Sequence, residues 1–230
     1  MSSKAITRVT VLNGGPSVER EVSLVSGNEI ASALRGEGYI VSIIDADENL
    51  APKITASNPD VVFNALHGRW GEDGCVQGLL EWMQIPYTHS GVYSSALAMD
   101  KEKTKDVYRA AGLPVAASML VSKSEILNSH PMPAPYVVKP YNEGSSVGVY
   151  IVNSGDKPIS TIKEELPDIL MVEEFIPGYE LTVTVLDGNA LTVTNIITDG
   201  WYDFDAKYEN GGSHHEIPAN LPKEIFDACI

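Results

Sequence analysis

The sequence predicts an α/β fold: an N-terminal domain on a parallel sheet, followed by an α+β domain that is incomplete at its C-terminal end. Two observations carry this. Over the first ninety residues, β-branched runs alternate with amphipathic helical stripes, and each run ends in a glycine-rich or polar loop, the pattern of parallel strands covered by helices. Beyond about residue 130 the strands become short, closely spaced and separated by glycine turns, as in antiparallel sheets. The 230 residues, 43% apolar and 20% charged, suffice for one large or two modest domains with real cores.

Residues 6–12 are rich in β-branched side chains and run into Asn13-Gly14-Gly15-Pro16, a strand followed by a glycine turn. Val22, Val25, Ser26, Ile30, Ala33 and Leu34 recur at helical spacing, and Gly36 and Gly38 end that helix. Residues 39–44 and 61–66 read as the second and third strands. The polar loop 67–74 then leads into a helix with Val76, Leu79, Leu80 and Met83 on one side. Ligands of parallel sheets sit beyond the carboxyl ends of strands, where loops 13–21 and 67–74 lie. A single helix is expected over roughly 92–111, with Tyr93, Ala96, Leu97, Asp100, Thr104, Val107, Tyr108 and Ala111 as its face and Gly112 and Pro114 closing it. A domain boundary is expected in its first turns. Residues 136–140 form a short strand, 141–148 a glycine-serine loop and 149–152 the return strand. Residues 181–185 and 191–195 flank Asp187-Gly188, a strong hairpin signal. A helix opens at Pro222 with Ile225, Phe226, Cys229 and Ile230 on one face and stops without a cap, so a truncated chain or a fragment of a longer reading frame is expected.

A net charge of −15 and a pI near 4.6 make nucleic acid and anionic membranes poor partners. Local lysines and backbone amides can still hold nucleotide phosphates. Cys75 and Cys229 form neither a disulfide framework nor a metal spacing, which fits a reducing cytoplasm. The first eight residues lack a signal-peptide core, and no apolar run approaches the ~18 residues of a membrane span.

Several clusters carry chemistry, each with a plainer alternative. Glu143-Gly144-Ser145-Ser146-Val147-Gly148, just after Lys139, suits phosphate oxygens; it is equally a glycine hairpin, and it lacks the Gly-Lys-Ser/Thr ending of a Walker loop. His67 points toward the ligand edge, and Asp73 of the same loop fits a helix cap. Glu19 occupies the corresponding place after the first strand, where it could simply favour the helix dipole. Lys101 sits in a charged stretch that alone reads as a solvated helix side. Glu173, Glu174 and Glu180 surround Phe175-Ile176, suiting a ribose below an adenine slot or mere surface charge. His214-His215-Glu216 invites a metal, but adjacent histidines point apart.

Taken together the segments resemble the D-alanine–D-alanine ligases, ATP-grasp enzymes of peptidoglycan synthesis. The matching pieces run nearly end to end: Gly14-Gly15-Pro16-Ser17-Val18-Glu19-Arg20-Glu21-Val22-Ser23-Leu24, Ala65-Leu66-His67-Gly68, Gly71-Glu72-Asp73-Gly74, Ile85-Pro86-Tyr87-Thr88, Met99-Asp100-Lys101, Val138-Lys139-Pro140, Glu143 to Gly148, and Tyr202-Asp203-Phe204-Asp205-Ala206-Lys207-Tyr208. His89 stands where that family's pattern more often has glycine. The resemblance implies a pre-ATP-grasp domain (1–97), a central ATP-grasp subdomain (98–180) and the start of a C-terminal subdomain with a mobile lid near 201–215 (181–230). It implies ATP and two magnesium (or manganese) ions as cofactors, D-alanine as substrate, a cytoplasmic homodimer and an acyl-phosphate mechanism. Glu19 would hold the ammonium of the first D-alanine, with His67 beside it. Lys101, Lys139, Lys207, Glu143, Ser145, Ser146 and Val147 would surround the phosphates. Ser145 would bond toward Glu19, with Tyr208 completing that network. Glu173, Glu174, Phe175 and Ile176 would line the adenine slot, and Glu180 would take the ribose. The metal ligands and an oxyanion arginine are expected beyond Ile230, so this chain is expected to turn over little. Other ATP-grasp ligases, such as a D-alanine–D-lactate enzyme, or an inactive nucleotide-binding fragment, are the alternatives.

Overall fold

The computed structural model describes residues 7–208 and 211–230. The chain forms two compact units. One takes the residues up to Val115 and Tyr141–Gly144; the other takes Ala116–Pro140 and Ser145–Ile230.

In the first unit β1 (Arg8–Asn13), α1 (Arg20–Gly36), β2 (Ile40–Asp45), α2 (Leu50–Ser57), β3 (Val61–Asn64) and α3 (Cys75–Trp82) alternate, followed by α4 (Val92–Met99) and α5 (Lys101–Ala110). The sheet has the order β2-β1-β3, parallel throughout. The central strand β1 is buried at Val9, Val11 and Leu12, because helices cover both its faces. Leu12, Ile44, Ile54, Val62, Val76 and Leu80 form one core on α2 and α3. Val9, Val11, Ala31 and Ala65 form another, with Ile30 and Leu34 packed against it.

Two expectations need correction here. The buried residues of α1 are Ser23, Gly27 and Ala31, whereas Val25 is 66% exposed. A Cβ on Gly27 would stand 2.4 Å from the Asn13 Cβ, so the helix packs too close to β1 for large residues at its contact. The single helix expected over 92–111 is broken at Asp100, whose extended backbone ends α4 and whose carboxylate accepts from the Glu102 and Lys103 N–H groups to cap α5. Tyr93, Val107 and Tyr108 of the expected face are exposed; Ser95 and Lys105 are the buried positions.

The second unit runs β4 (Ser118–Ser122), α6 (Lys123–Asn128), β5 (Tyr136–Lys139), β6 (Tyr150–Val152), β7 (Ile169–Glu174), β8 (Glu180–Leu186), β9 (Asn189–Ile197), α7 (Phe204–Tyr208), β10 (His214–Glu216) and α8 (Lys223–Cys229). It holds an antiparallel sheet β4-β7-β5-β6 and a second, β10-β9-β8. Tyr136, Val138, Leu170, Val172 and Ile126 are its fully buried centre. The hairpin of β8 and β9 turns on Asp187 (φ 50°) and Gly188 (φ 74°), both left-handed, as a two-residue turn of this hand requires. Among the described residues no helix is long and apolar enough to cross a membrane.

Candidate active site

In the first unit the chemistry gathers at the carboxyl edge of β1 and β3. Glu19 directly precedes α1, yet its side chain does not cap that helix; it is only 2% exposed. Its carboxylate stands behind glycines. A Cβ on Gly68 would lie 2.2 Å from Glu19 Oε2, and one on Gly144 would lie 3.2 Å from it. Gly68 also has φ +67°, a conformation that L side chains seldom adopt. The Glu19 N–H donates to Ser17 Oγ (3.1 Å), and the Ser17 hydroxyl donates to the His67 carbonyl (2.8 Å). The Ser23 hydroxyl donates to the Ala65 carbonyl at 2.6 Å. Loops 13–19 and 65–68 are thus tied together, and the His67 imidazole lies 3.2 Å from the Ser26 hydroxyl.

The loop after β3 has its own frame. The Asn64 amide donates to the Gly71 carbonyl at 2.8 Å and its Oδ1 accepts from the Leu66 N–H at 3.2 Å. Gln77, 2% exposed, donates to that same Gly71 carbonyl at 2.8 Å. Glu72 accepts from the Gly68 N–H at 2.7 Å. Asp73 accepts from the Trp70 and Cys75 N–H groups and so holds the turn before α3, but the cap position of that helix is Gly74, without a side-chain cap bond, so Asp73 is not its cap residue. Sequence reasoning missed Ser17, Asn64 and Gln77. For Asn64 the available signal was a polar residue closing an apolar strand. Two cavities, about 880 Å³ and about 540 Å³, open beside this loop, and His67 lines both.

Lys101 opens α5, and its ammonium donates to the Glu143 carbonyl. The neighbouring peptide N–H of Lys101 donates to the Tyr141 carbonyl at 2.9 Å. Burial pushes the Glu143 carboxyl above its ordinary value; Arg69 opposes this, Glu19 adds to it, and Lys101 opposes it again.

In the second unit Lys139 and Glu173 form an ion pair, with side chains 22% and 16% exposed. The register explains it: Lys139 faces Met171 and Val137 faces Glu173, so the pair are diagonal neighbours on one face of the sheet. The Glu174 and Phe175 N–H groups donate to the Ala117 and Pro135 carbonyls, and Ile176 is 61% exposed. Glu180 opens β8 and is exposed. In the glycine-serine loop Ser145 (φ 48°), Ser146 (φ 59°) and Gly148 (φ 68°) are left-handed. The Ser145 hydroxyl lies 2.7 Å from the Tyr208 hydroxyl, and Ser146 Oγ donates to the Tyr202 carbonyl at 3.0 Å. Val147 is half-buried in the same loop. Lys207 stacks its ammonium over the Tyr202 ring at 5.1 Å. Within the expected lid, Glu209 and Asn210 lie outside the described residues. His214 and His215 are successive residues of β10 and point to opposite faces, and Glu216 accepts from Asn195 and Asn220. Among the described residues no group of three or more His, Cys, Asp or Glu could hold a metal ion.

The family pattern described as the D-ala D-ala ligase N-terminus matches residues 46–90, and that described as its C-terminus matches 107–229. The D-alanine–D-alanine ligase of Ruegeria pomeroyi is 64% identical over 230 residues, covering 100% of this chain and 75% of that protein. The ligase of Dinoroseobacter shibae is 60% identical with the same coverage. The crystal structure of the Bacillus anthracis ligase complexed with ATP superposes with a TM-score of 0.78 at 32% identity, covering 96% of this chain and 73% of that one. Matching family patterns, identity of this level over three quarters of the relatives and a shared fold agree: the chain belongs to the D-alanine–D-alanine ligase family.

Proposed function

We propose that this chain serves the ATP-dependent joining of two D-alanines for peptidoglycan precursors. The carrying observation is the buried Glu19 carboxylate behind Gly68 and Gly144 with His67 on the adjoining loop. A desolvated carboxylate in a cradle too small for added side chains suits the ammonium of a small amino acid, since charge interactions strengthen away from water.

A free carboxylate is a poor electrophile. In this proposal ATP phosphorylates the carboxylate of the first D-alanine, and the amine of the second attacks the acyl phosphate, releasing ADP, phosphate and the dipeptide. The ammonium groups of Lys101 and Lys139 neutralise phosphate charge, as phosphoryl transfer demands. Both are held ready on acceptors, Lys101 on the Glu143 carbonyl and Lys139 on Glu173. Ser145, Ser146 and Val147 offer hydroxyls and backbone to the phosphates, and Tyr208 orients Ser145 through its hydroxyl. Lys207 adds a further cation near this loop. Glu173, Glu174, Phe175 and Ile176 form the adenine slot, and Glu180 the ribose contact. Magnesium belongs to the proposed reaction, and no ligand set for it is assigned among the described residues. The proposal extends to a cytoplasmic homodimer.

The test is ADP release with D-alanine, L-alanine or D-lactate as substrate. Release that requires D-alanine and is lost in Glu19→Gln supports the reading. Release that is indifferent to the stereochemistry of alanine, or nucleotide binding that D-alanine does not alter, overturns it.

A further inference from the structure

Segment 86–89 runs beside the outer edge of β3. The Val62 N–H donates to the Pro86 carbonyl at 2.8 Å and the Thr88 N–H donates to the Val62 carbonyl at 3.1 Å, as in a short parallel ladder. At His89 the backbone turns left-handed, with φ 74°, and leaves the ladder. The next rung, at Asn64, is made by side chains instead. The Asn64 N–H donates to Thr88 Oγ1 at 3.1 Å, and His89 Nε2 lies 3.0 Å from the Asn64 carbonyl. A carbonyl only accepts, so Nε2 carries the hydrogen. The Phe63 ring meets the imidazole edge-on, with centroids 5.5 Å apart, which fixes its plane.

Left-handed backbone is costly for a residue with a Cβ, so a bulky side chain here calls for a compensating role. Asn64 supplies it. With its backbone fixed by Thr88 and His89, its side chain holds Leu66 and Gly71 at the two ends of the loop that carries His67 and Gly68. Gly68 is the residue that walls the Glu19 carboxylate. His89 and His67 also line the same cavity of about 540 Å³.

We propose that His89 is a positioning residue for the first-substrate site: its imidazole completes the last rung of the β3 edge and, through Asn64, sets the loop that places His67 and the Gly68 wall. The inference rests on the D-alanine reading above for its substrate and on the hydrogen bonds alone for its mechanism.

The experiment compares His89→Gly, which relieves the left-handed backbone but deletes the donor, with His89→Gln, which keeps an N–H donor at similar reach. Hydrogen exchange of the Leu66 amide and titrations with D-alanine and with ATP are read for each. In His89→Gly the Leu66 amide should exchange roughly ten times faster, and D-alanine affinity should fall about ten-fold while ATP affinity and melting temperature hold. His89→Gln should restore both. Wild-type exchange and wild-type D-alanine affinity in His89→Gly would overturn the proposal, as would a loss of melting temperature with no change in either readout. If the unaltered protein binds ATP but no D-alanine, the functional reading falls, and the exchange comparison still decides whether His89 sets the loop.

Discussion

Gly68→Ala tests the link between the backbone and the substrate cradle. Two costs are superposed in it. The first is conformational: at φ +67° an alanine pays about 1–2 kcal/mol for left-handed backbone. The second is spatial. The new Cβ would stand 2.2 Å from Glu19 Oε2, where real contacts stay beyond 3.0 Å, so the carboxylate must retreat by roughly 1 Å from its buried place. Gly38→Ala separates the two, because Gly38 has φ +88° with nothing within 4 Å of the added atom. Urea unfolding should show Gly38→Ala losing about 1–2 kcal/mol and Gly68→Ala about 2–4 kcal/mol. Misplacement by 1 Å costs catalysis up to about a hundred-fold, so kcat/KM for D-alanine should fall about 10- to 100-fold in Gly68→Ala and stay put in Gly38→Ala. Equal stability losses in the two variants, with unchanged D-alanine kinetics in both, would refute the reasoning.

Two other outcomes are expected. Tyr208→Phe removes the hydroxyl that lies 2.7 Å from Ser145 Oγ; a net bond of about 0.5–1.5 kcal/mol predicts a roughly 3- to 10-fold lower kcat, with the melting temperature unmoved because Tyr208 is 41% exposed. A steady-state ADP assay beside a thermal melt distinguishes that from global damage, and an unchanged kcat would dismiss the hydroxyl pair. Arg8 holds the Asp60 carboxyl at about 2, below its ordinary 3.8. A lowered carboxylate pKa stabilises the fold above the ordinary value and loses that contribution as pH falls from 3.8 toward 2. Asp60→Asn should therefore lower stability at neutral pH and flatten the acid decline in that window; acid-unfolding curves that coincide with wild type would contradict it.

What could be read from sequence was what neighbours in sequence decide. The Asp187-Gly188 hairpin and the glycine turn after β1 follow from φ preferences of single residues. The buried face of α1 departs from its apolar stripe because the contact with Asn13 is made by the absence of a side chain at Gly27. The break at Asp100 carried its own signal, a capping aspartate with Glu102 after it, inside a stretch whose helical spacing continues on both sides of the break. That Glu19 follows the first strand and that Lys139 ends a short strand was legible in the local pattern. The burial of Glu19 was not, because it is made by Gly68 and Gly144, far along the chain. Nor was the Lys139–Glu173 pair, which needs the β5–β7 register.

The doubly accepted carbonyl of Gly71 has a kinetic consequence. Asn64 and Gln77 both donate to it from buried positions, so displacing this peptide would break two shielded bonds at once. A wall fastened in that way makes a poor gate. Local opening of this loop should therefore be rare, and whatever enters the cavities beside His67 passes a fixed rim.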